Sequence, residues 1–502
     1  MHSSEVRFAL SVSAAFFVVN LFFAFHHVMW RDEWMPLLVA RDTETYSAFF
    51  EQIKYVGRIV FFSLGWALQQ IDGSLVLFKT FIVLASTTGI YVFCRYSPFT
   101  RLQKVLFSFG YFPLYEYGTI LRDYSLILAL SISCCALLTS QKWRPLVFSV
   151  VVSLLFQTNP FGLTLGCALS ATFVYEGWKR KKMRLHELVK VKSIVPVLLP
   201  IASLGFALKT MIPPPQIAEL VLGQQLRSDS YITRLSESFP FLIRGMLPIP
   251  LFGAWNSQFL DPWPLLQAVL VVVAVFCIVV VLSPSRTALV LYCVGLVGLG
   301  AVLCHLPWTH LRYHGPYFVI FVLSYWILLS SHRTQPSSLS KVAGVNWLRS
   351  NASSAVTVIF AIHCSVAAKF LMQEQVIPFS GSRDAANAIM QNASREELVI
   401  GDPDYAMIAI SGYLGRPVYI ASRREIGSFT KVDRKRRPNP LSPEELSRVV
   451  QDKLYEEKRD VILVTSYPIS LPPEVGQLIA TTKSMFDENY FVHRVFYRAR
   501  GD

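Results

Sequence analysis

The chain has 502 residues, of which 53% are apolar and only 16% are charged, whereas soluble domains carry about 25% charged residues. Leu265–Leu282 and Ala288–Leu303 contain no charged residue, and segments of about 20 apolar residues exclude a soluble secreted or cytosolic protein. The net charge of +14 lies largely in short loops, without a nucleic-acid-reading motif, so we expect no nucleic-acid partner.

The apolar segments predict a polytopic α-helical membrane protein with about eleven transmembrane helices. The first segment leads into charged residues without a clear small-residue cleavage site, which favours a retained helix over a signal peptide. We expect residues 1–373 to form the membrane domain and residues 374–502 to form a soluble α/β domain. The predicted helices lie near residues 6–28, 73–94, 105–118, 124–140, 145–159, 160–178, 193–212, 262–282, 287–304, 315–331 and 353–372.

Lys and Arg residues are concentrated in one set of alternate loops, including the stretches 95–104 and 179–192. The positive-inside rule places these loops in the cytoplasm. The N-terminus is then cytoplasmic, and an odd number of helices places the C-terminal domain outside, with the loops 29–72 and 213–261. The tail contains none of the eight cysteines, and the lack of disulfides there favours a bacterial inner membrane.

The first outer loop begins with Trp30-Arg31-Asp32-Glu33-Trp34, directly after the first apolar segment. Two adjacent carboxylates at the membrane surface are costly unless they are paired or used in chemistry. One interpretation is a general base or a ligand of a divalent metal. The other is the cap of an interfacial helix, with the tryptophans in the aromatic belt of the membrane. The position of the motif leaves both interpretations open.

The same loop contains an amphipathic segment, because Tyr46, Phe49 and Ile53 recur at helical spacing. This pattern predicts a helix that lies on the membrane surface. The apolar run 59–68, which follows Arg58, is too short to span the bilayer and predicts an interfacial or re-entrant helix.

A second polar cluster, Arg122-Asp123-Tyr124, lies in the next outer loop, where long apolar stretches flank Arg122. A guanidinium stays charged and offers forked donors, so it suits a phosphate group. The alternative is an Arg–Asp pair that only anchors the end of a helix.

A third cluster, residues 305–314, contains three histidines, an arginine and aromatic residues between two apolar helices. His310 and His314 have a spacing that would suit a metal on a helix, but Pro316 argues against a regular helix there. Two other interpretations are contact of Arg312 with a phosphate or headgroup, and aromatic lining of the membrane interface.

The tail alternates predicted strands and helices, which indicates a small α/β unit with a largely parallel sheet. Ser442-Pro443-Glu444-Glu445 is a strong helix start, with serine at the cap and proline in the first turn. The basic residues from Arg423 to Arg437 predict a solvated loop or a surface for anionic headgroups or an acidic glycan. Strands are predicted at 398–400, 418–421, 461–464 and 490–497, and a helix at 404–413.

In order along the chain, these features resemble the GT-C superfamily of integral-membrane glycosyltransferases. The similarity is strongest to the branch that contains protein O-mannosyltransferases and the bacterial aminoarabinose transferase of lipid A. It includes the long first loop, the soluble domain and four motifs: Asp32-Glu33, Arg122-Asp123-Tyr124, Gln157-Thr158-Asn159-Pro160 and Arg312-Tyr313.

The resemblance implies a hexosyl or pentosyl transferase that uses a polyprenyl-phosphate-linked donor on the extracytoplasmic face. Asp32 would be the catalytic base for a lipid, glycan or protein acceptor, and Glu33 would orient the acceptor or support Asp32. A single displacement with inversion would follow. The resemblance implies no certain cofactor, and a divalent metal is possible, with Asp42 and Asp123 as further ligands. Other substrate-binding candidates are Arg58, Arg122, Tyr124, His310, Arg312 and Tyr313.

Two functions from other classes are also compatible with a membrane protein of this size. A transporter or lipid flippase predicts ionisable residues inside the helices and repeats that relate the two halves. The apolar segments contain few such residues, of which Lys79 and Lys209 are examples, and no clear repeat. A structural or sensory membrane protein would not need three polar clusters on one face.

Overall fold

The computed structural model describes residues 2–180, 191–212, 234, 240–305, 310–331, 343–431, 433, 436–437 and 439–498. In the predicted outer loop 213–261, residues 213–233 and 235–239 therefore lie outside the described residues. Residues 306–309 of the third polar cluster and two basic positions of the tail, 434 and 435, also lie outside them.

The described residues up to 374 are mostly helical. Seven of their helices, which begin at residues 2, 75, 191, 264, 286, 311 and 343, each contain a stretch that is long and apolar enough to cross a membrane. The chain is therefore an integral membrane protein, and a total of eleven spans stays a prediction. In order, the helices are α1 (His2–His26), α2 (Arg31–Arg41), α3 (Tyr46–Ile53), α4 (Ile59–Ile71), α5 (Leu75–Tyr96), α6 (Arg101–Ser108), α7 (Tyr124–Thr139), α8 (Pro145–Phe156), α9 (Pro160–Lys179), α10 (Val191–Met211), α11 (Phe241–Met246), α12 (Pro264–Leu282), α13 (Arg286–Leu303), α14 (Leu311–Ser330) and α15 (Ala343–Glu374).

The predicted helix 105–118 is interrupted. Helix α6 ends at Ser108, and Tyr111–Thr119 forms π-helical turns that begin after Gly110. Pro113 lacks the N–H that an α-helix requires, so a regular helix does not continue through this segment. The π-helical turns are buried and lie beside α1, α5 and α7.

Helix α14 is regular where the sequence predicted irregular backbone. It starts at Leu311 and continues through Pro316, which lies in its second turn. The argument against a regular helix at Pro316 was wrong. Pro316 offers no N–H to the carbonyl of Arg312, four residues earlier, but that carbonyl accepts a hydrogen bond from the Tyr117 hydroxyl at 2.8 Å instead. Arg312 and Tyr313 therefore lie in the first turn of α14, directly after His310 at the N-cap.

The loop 29–72 folds as three helices, of which α3 and α4 are the two that its periodicity and apolar length predicted. In α3, Phe49 and Ile53 are fully buried, whereas Tyr46 is 43% exposed and its ring lies 5.1 Å from the ring of Trp66 in α4. The apolar face of α3 therefore packs against α4. Contact of either helix with lipid stays a prediction.

After α15 the chain forms an α/β unit around a six-stranded mixed sheet, with strand order β3-β2-β1-β4-β6-β5. Strand β1 pairs in parallel with β2 and β4, but the other pairings are antiparallel. The expectation of a largely parallel sheet was wrong, because β3 and β5, which the sequence analysis missed, both form hairpin-like pairs. The strands are β1 (Val399–Asp402), β2 (Val418–Ile420), β3 (Glu425–Gly427), β4 (Val461–Thr465), β5 (Gly476–Thr481) and β6 (Phe491–Val495).

Three helices cover the two faces of this sheet: α16 (Ser382–Asn392), α17 (Met407–Leu414) and α18 (Pro443–Glu457). Helices α16 and α17 share one buried cluster with the sheet, and α18 shares the other. Helix α18 begins as predicted, since the Ser442 side chain accepts a hydrogen bond from the N–H of Glu445 at 3.2 Å. Helix α16 was not predicted.

The α/β unit packs directly on the helices of the first outer loop. Ile408, Ala409 and Phe429 belong to the same buried cluster as Trp34 and other residues of α2–α5. Gly412 allows the closest approach, because a Cβ atom there would lie 2.3 Å from the indole ring of Trp34. The start of α2 is therefore held between the membrane helices and the α/β unit.

Candidate active site

Glu33 anchors the start of α2 inside the protein. Its carboxylate accepts hydrogen bonds from the N–H groups of Trp30 at 3.0 Å and Leu121 at 2.5 Å, and it lies 2.9 Å from Nε2 of His27. The Glu33 side chain is fully buried. His27 also contacts Glu374 at the end of α15. Glu33 therefore joins α1, α2 and the segment before α7, and it fixes the orientation of its neighbour Asp32.

Asp32 forms an ion pair with Arg122. Its Oδ2 lies 2.7 Å from Nη1 of Arg122, and its side chain is 30% exposed whereas that of Arg122 is 1% exposed. Burial alone would raise the pKa of Asp32, but the charges of Arg122, Arg58 and Arg312 hold this pKa well below its usual range. Asp32 is thus a carboxylate at neutral pH, and it is accessible to a second molecule.

Two buried guanidiniums lie against one indole ring. The Cζ atoms of Arg122 and Arg312 are 5.3 Å and 4.7 Å from the ring centroid of Trp30. Within the described residues, no side-chain nitrogen of Arg122 has an aligned hydrogen-bond acceptor, and the same holds for Nε and Nη1 of Arg312. Buried charged donors without acceptors are costly, so this arrangement favours an anion that supplies the missing oxygens.

Asp123 connects the site to the start of α9. One oxygen lies 3.9 Å from Nε of Arg58 and of Arg122, and the other accepts a hydrogen bond from the Asn159 side chain. Asn159 also caps α9, since its oxygen accepts from the N–H groups of Phe161 at 2.9 Å and Gly162 at 3.0 Å. The run 157–160 therefore contributes Asn159 to the site.

The third cluster supplies His310 and Tyr313 to the same site. Their rings are 5.4 Å apart, and Tyr313 stacks on Phe161 at 5.3 Å. Burial, together with the charges of Arg312 and Arg122, lowers the pKa of His310 to about 2, so the imidazole is neutral. His314 points elsewhere, with its ring stacked on Phe241 at 4.3 Å.

Tyr124 lies at the edge of this arrangement. Its ring stacks on Tyr117 at 4.9 Å, and the Cζ of Arg122 is 5.9 Å from its centroid. The structure thus brings together nine of the residues that the sequence singled out, but not His314 or Asp42, whose carboxylate contacts Arg41 and Ser428. Near the accessible carboxylate of Asp32 lie Arg58, Arg122, Arg312, His310 and Tyr313, while Glu33, Asp123 and Tyr124 lie behind them.

Three residues of the site were missed at the sequence level. Glu116 is 1% exposed, and its carboxylate accepts hydrogen bonds from Tyr111 at 2.8 Å and from the indole of Trp255 at 3.3 Å. An acidic residue alone in the predicted helix 105–118 was a usable signal. Trp255 and Phe486, whose rings are 5.0 Å apart, come from a loop and from the α/β unit, and no sequence pattern there indicates proximity to the site.

The carboxylates of the site contact other side chains of the protein. Asp32 pairs with Arg122, Glu33 contacts His27, and Asp123 contacts Asn159. Among the described residues, no group of three or more His, Cys, Asp or Glu side chains could hold a metal. The concentration of arginines makes the site suited to an anion instead.

No protein-family model and no curated protein sequence matches the chain. Solved structures similar to it include two of ArnT from Cupriavidus metallidurans. The apo state has a TM-score of 0.52 and 13% identity over 98% of each chain. The state bound to undecaprenyl phosphate has a TM-score of 0.49 and 11% identity over 97% of each chain. The chain therefore has the helical membrane fold with a C-terminal α/β unit that its sequence predicted, and this fold is similar to that of apo ArnT along the whole length.

Proposed function

We propose that the chain is a glycosyltransferase that moves a sugar from a polyprenyl-phosphate-linked donor to a lipid, glycan or protein acceptor. One observation carries the proposal: an accessible, ionised Asp32 lies against Arg122 and near Arg312, which are both buried. Among the described residues, no side-chain nitrogen of Arg122 and neither Nε nor Nη1 of Arg312 has an aligned acceptor. This combination supplies a proton acceptor and an anion site next to each other. A transfer from a phosphate-linked donor needs both.

The position of the arginines favours an amphiphilic donor. Arg122 lies two residues before the apolar helix α7, and Arg312 is the second residue of α14, which is long and apolar enough to cross a membrane. A phosphate bound there can keep its lipid chain beside these helices. A polyprenyl phosphate combines the two properties, and the fold shared with apo ArnT is compatible with such a donor.

The reaction we propose is a single displacement. The oxygen of an acceptor hydroxyl attacks the anomeric carbon, and the bond between this carbon and the phosphate oxygen breaks. The electron pair of that bond stays on the polyprenyl phosphate, whose added charge Arg122 and Arg312 stabilise. The hydroxyl proton goes to Asp32. The anomeric configuration is inverted, because one displacement occurs.

The Asp32–Arg122 ion pair suggests how donor binding prepares the base. A carboxylate held by a guanidinium is a weak base, since its pKa is well below the usual range. A donor phosphate that takes over Arg122 weakens the contact with Asp32, so the pKa of Asp32 rises toward its ordinary value. Asp32 then accepts a proton more readily when the donor is in place.

The remaining parts of the proposal concern location and substrate. We propose a bacterial inner membrane, with the N-terminus in the cytoplasm and residues 374–502 on the outer face, where the site would meet its donor. The transferred group is a hexosyl or pentosyl unit. Glu33, Asp123 and Tyr124 support the site from behind, and Arg58, His310 and Tyr313 contact substrates.

The experiment is transfer of radiolabelled sugar from membrane-supplied polyprenyl-phosphate donors to lipid, glycan and protein fractions. The native chain is compared with Asp32→Asn at equal expression, and Glu51→Gln serves as the control because Glu51 is an exposed acid of the same outer loop. We expect Asp32→Asn to lower transfer by about a hundredfold or more and Glu51→Gln to leave it unchanged.

Each outcome decides between the functions. The fraction that gains label from the native chain identifies the class of acceptor. Equal labelling by the native chain and Asp32→Asn would remove Asp32 as the base. An absence of labelling by the native chain across a broad donor panel would overturn the proposed function and favour a transporter.

A further inference from the structure

The loop between β5 and β6 reaches the start of α2. Glu488, in this loop, is buried with a side chain that is 1% exposed. Its Oε1 accepts hydrogen bonds from the backbone N–H of Arg31 at 3.2 Å and from Nη1 of Arg31 at 3.3 Å. Its other oxygen accepts from the hydroxyl of Ser380 at 2.6 Å. One carboxylate of the α/β unit therefore contacts both the backbone and the side chain of the residue before Asp32.

These contacts complete the cap of α2. The first N–H groups of a helix have no partner within the helix, and a carboxylate near them is stabilising. Glu33 accepts from the N–H of Trp30, which leaves the N–H of Arg31 to be satisfied from outside the local sequence. Glu488 supplies that acceptor from a position 457 residues away. The conformation of the turn that carries Asp32 thus depends on the α/β unit.

The same carboxylate restrains the guanidinium of Arg31. This group lies 5.0–5.1 Å from the ring centroids of Trp30, Tyr405 and Phe486. Arg31 is adjacent to Asp32, and its charge is one of those that lower the pKa of Asp32. A long arginine side chain released from Glu488 would be free to pair with Asp32 and compete with an acceptor for the carboxylate.

Other contacts dock the α/β unit without Glu488. The N–H of Met29 donates to the hydroxyl of Tyr413 at 2.8 Å, and the Ser382 hydroxyl donates to the carbonyl of Met29 at 3.2 Å. Trp34 packs on Gly412 and Tyr413. A substitution of Glu488 is therefore expected to change the start of α2 while the α/β unit stays docked.

We propose that Glu488 is a positioning residue of the active site, through which the α/β unit caps α2 and keeps Arg31 away from Asp32. The inference rests on the proposed function for its catalytic consequence. Its structural content, the cap on Arg31, can be measured without any transfer reaction.

The experiment uses the full chain in phospholipid nanodiscs and compares the native chain with Glu488→Ala, Glu488→Asp and Asp487→Asn. Asp487 is the matched control, because it also pairs with Arg31, at 3.3 Å, but its side chain is 64% exposed. We expect Glu488→Ala to lower kcat by about ten- to hundredfold with a donor KM within about twofold of native. Asp487→Asn should stay within about twofold, since exposed ion pairs contribute little. Glu488→Asp should recover part of the rate.

A double variant separates the two roles of Glu488. If released Arg31 inhibits Asp32, adding Arg31→Gln to Glu488→Ala should raise kcat above that of Glu488→Ala alone. If only the backbone cap matters, the double variant should be no faster, and the restraint of Arg31 is overturned. A native kcat in Glu488→Ala, or a loss explained entirely by the amount of folded protein, would overturn the positioning role.

Hydrogen–deuterium exchange of a peptide covering residues 29–35 provides the readout that does not need transfer. Loss of the acceptor for the N–H of Arg31 should speed exchange of this peptide in Glu488→Ala but not in Asp487→Asn. Unchanged exchange would overturn the cap, whatever the transfer assay shows. Faster exchange, together with no transfer by the native chain, would support the cap and overturn the proposed function.

Discussion

Replacement of Arg122 by glutamine should weaken donor binding and shift the acid limb of the pH–rate profile. Arg122 is 1% exposed, and its ion pair with Asp32 is the shortest salt-bridge contact that either residue makes. Truncating one member of a buried charge contact commonly costs about 2–5 kcal/mol. If KM reflects donor binding, this corresponds to roughly a thirtyfold to several-thousandfold higher KM.

The pH dependence tests the second role of Arg122. In the proposed reaction Asp32 accepts a proton only when it is ionised, so we expect the rate to fall as pH drops through the pKa of Asp32. Burial raises this pKa, and among the charges that lower it the charge of Arg122 has the largest effect. Arg122→Gln should therefore move the acid limb to higher pH. Arg122→Lys, which keeps the charge but loses the forked donors, should raise KM with a smaller shift of the limb.

The assay is initial-rate transfer with purified donor in nanodiscs, measured from about pH 3 to 8 for the three chains so that the range includes the ordinary pKa of an aspartate. Comparison at each pH cancels titrations that the variants share with the native chain. An unchanged donor KM in Arg122→Gln would refute the phosphate contact. An unchanged acid limb would refute the control of Asp32 by Arg122.

Three further predictions concern the support of the site. Gly412→Val should loosen the packing of the α/β unit on α2, because an added Cβ would lie 2.3 Å from the Trp34 ring. Limited proteolysis should therefore cleave the Gly412→Val chain faster than the control Gly205→Ala, whose added carbon meets nothing within 4 Å. Glu33→Gln should lower the free energy of unfolding by about 3–5 kcal/mol, because the substitution leaves the charge of buried His27 only partly compensated. Denaturant titration in detergent measures this free energy, and a change under about 1 kcal/mol would contradict the prediction. Burial lowers the pKa of His27, but the charges of Glu33 and Glu374 outweigh burial and raise this pKa to about 10. The stability that protonated His27 contributes is therefore complete below about pH 6.5 and is lost as pH rises toward 10. The melting temperature of the native chain should therefore fall over this range more steeply than that of His27→Gln, and parallel curves would contradict the assignment.

The sequence predicted the membrane helices and the polar clusters because their patterns are local. Apolar length identifies a helix without knowledge of its neighbours, and Ser442 identifies the start of α18 through a motif of four residues. The points at which helices are interrupted were harder to predict, since Pro113 interrupts a predicted helix while Pro316 does not. At Pro316 the carbonyl left without an N–H partner accepts a hydrogen bond from the distant Tyr117 hydroxyl, and the apolar pattern does not reveal such a contact.

The three polar clusters could be expected to converge because they were predicted on the same face of the membrane. The contacts between their residues could not be predicted. Asp32 and Arg122 are 90 positions apart, and their pairing depends on Glu33 contacting the N–H of Leu121. Phe486 and Glu488 come from a loop between two strands, one of which was not predicted. Contacts at such separations depend on how whole elements pack, and a single sequence does not report this.

The energetics of the site favour a ligand over a purely structural role. A protein that only needed to close these ends of α7 and α14 could use apolar residues, since replacing a buried ion pair by apolar residues is often neutral or stabilising. Instead, Arg122 and Arg312 are buried, lie against one indole ring, and have side-chain nitrogens without aligned acceptors among the described residues. Asp32, the accessible carboxylate next to them, balances only part of this charge. An anion that supplies oxygens to both guanidiniums would remove the cost, which is why we expect the donor phosphate, rather than the acceptor, to organise the site first.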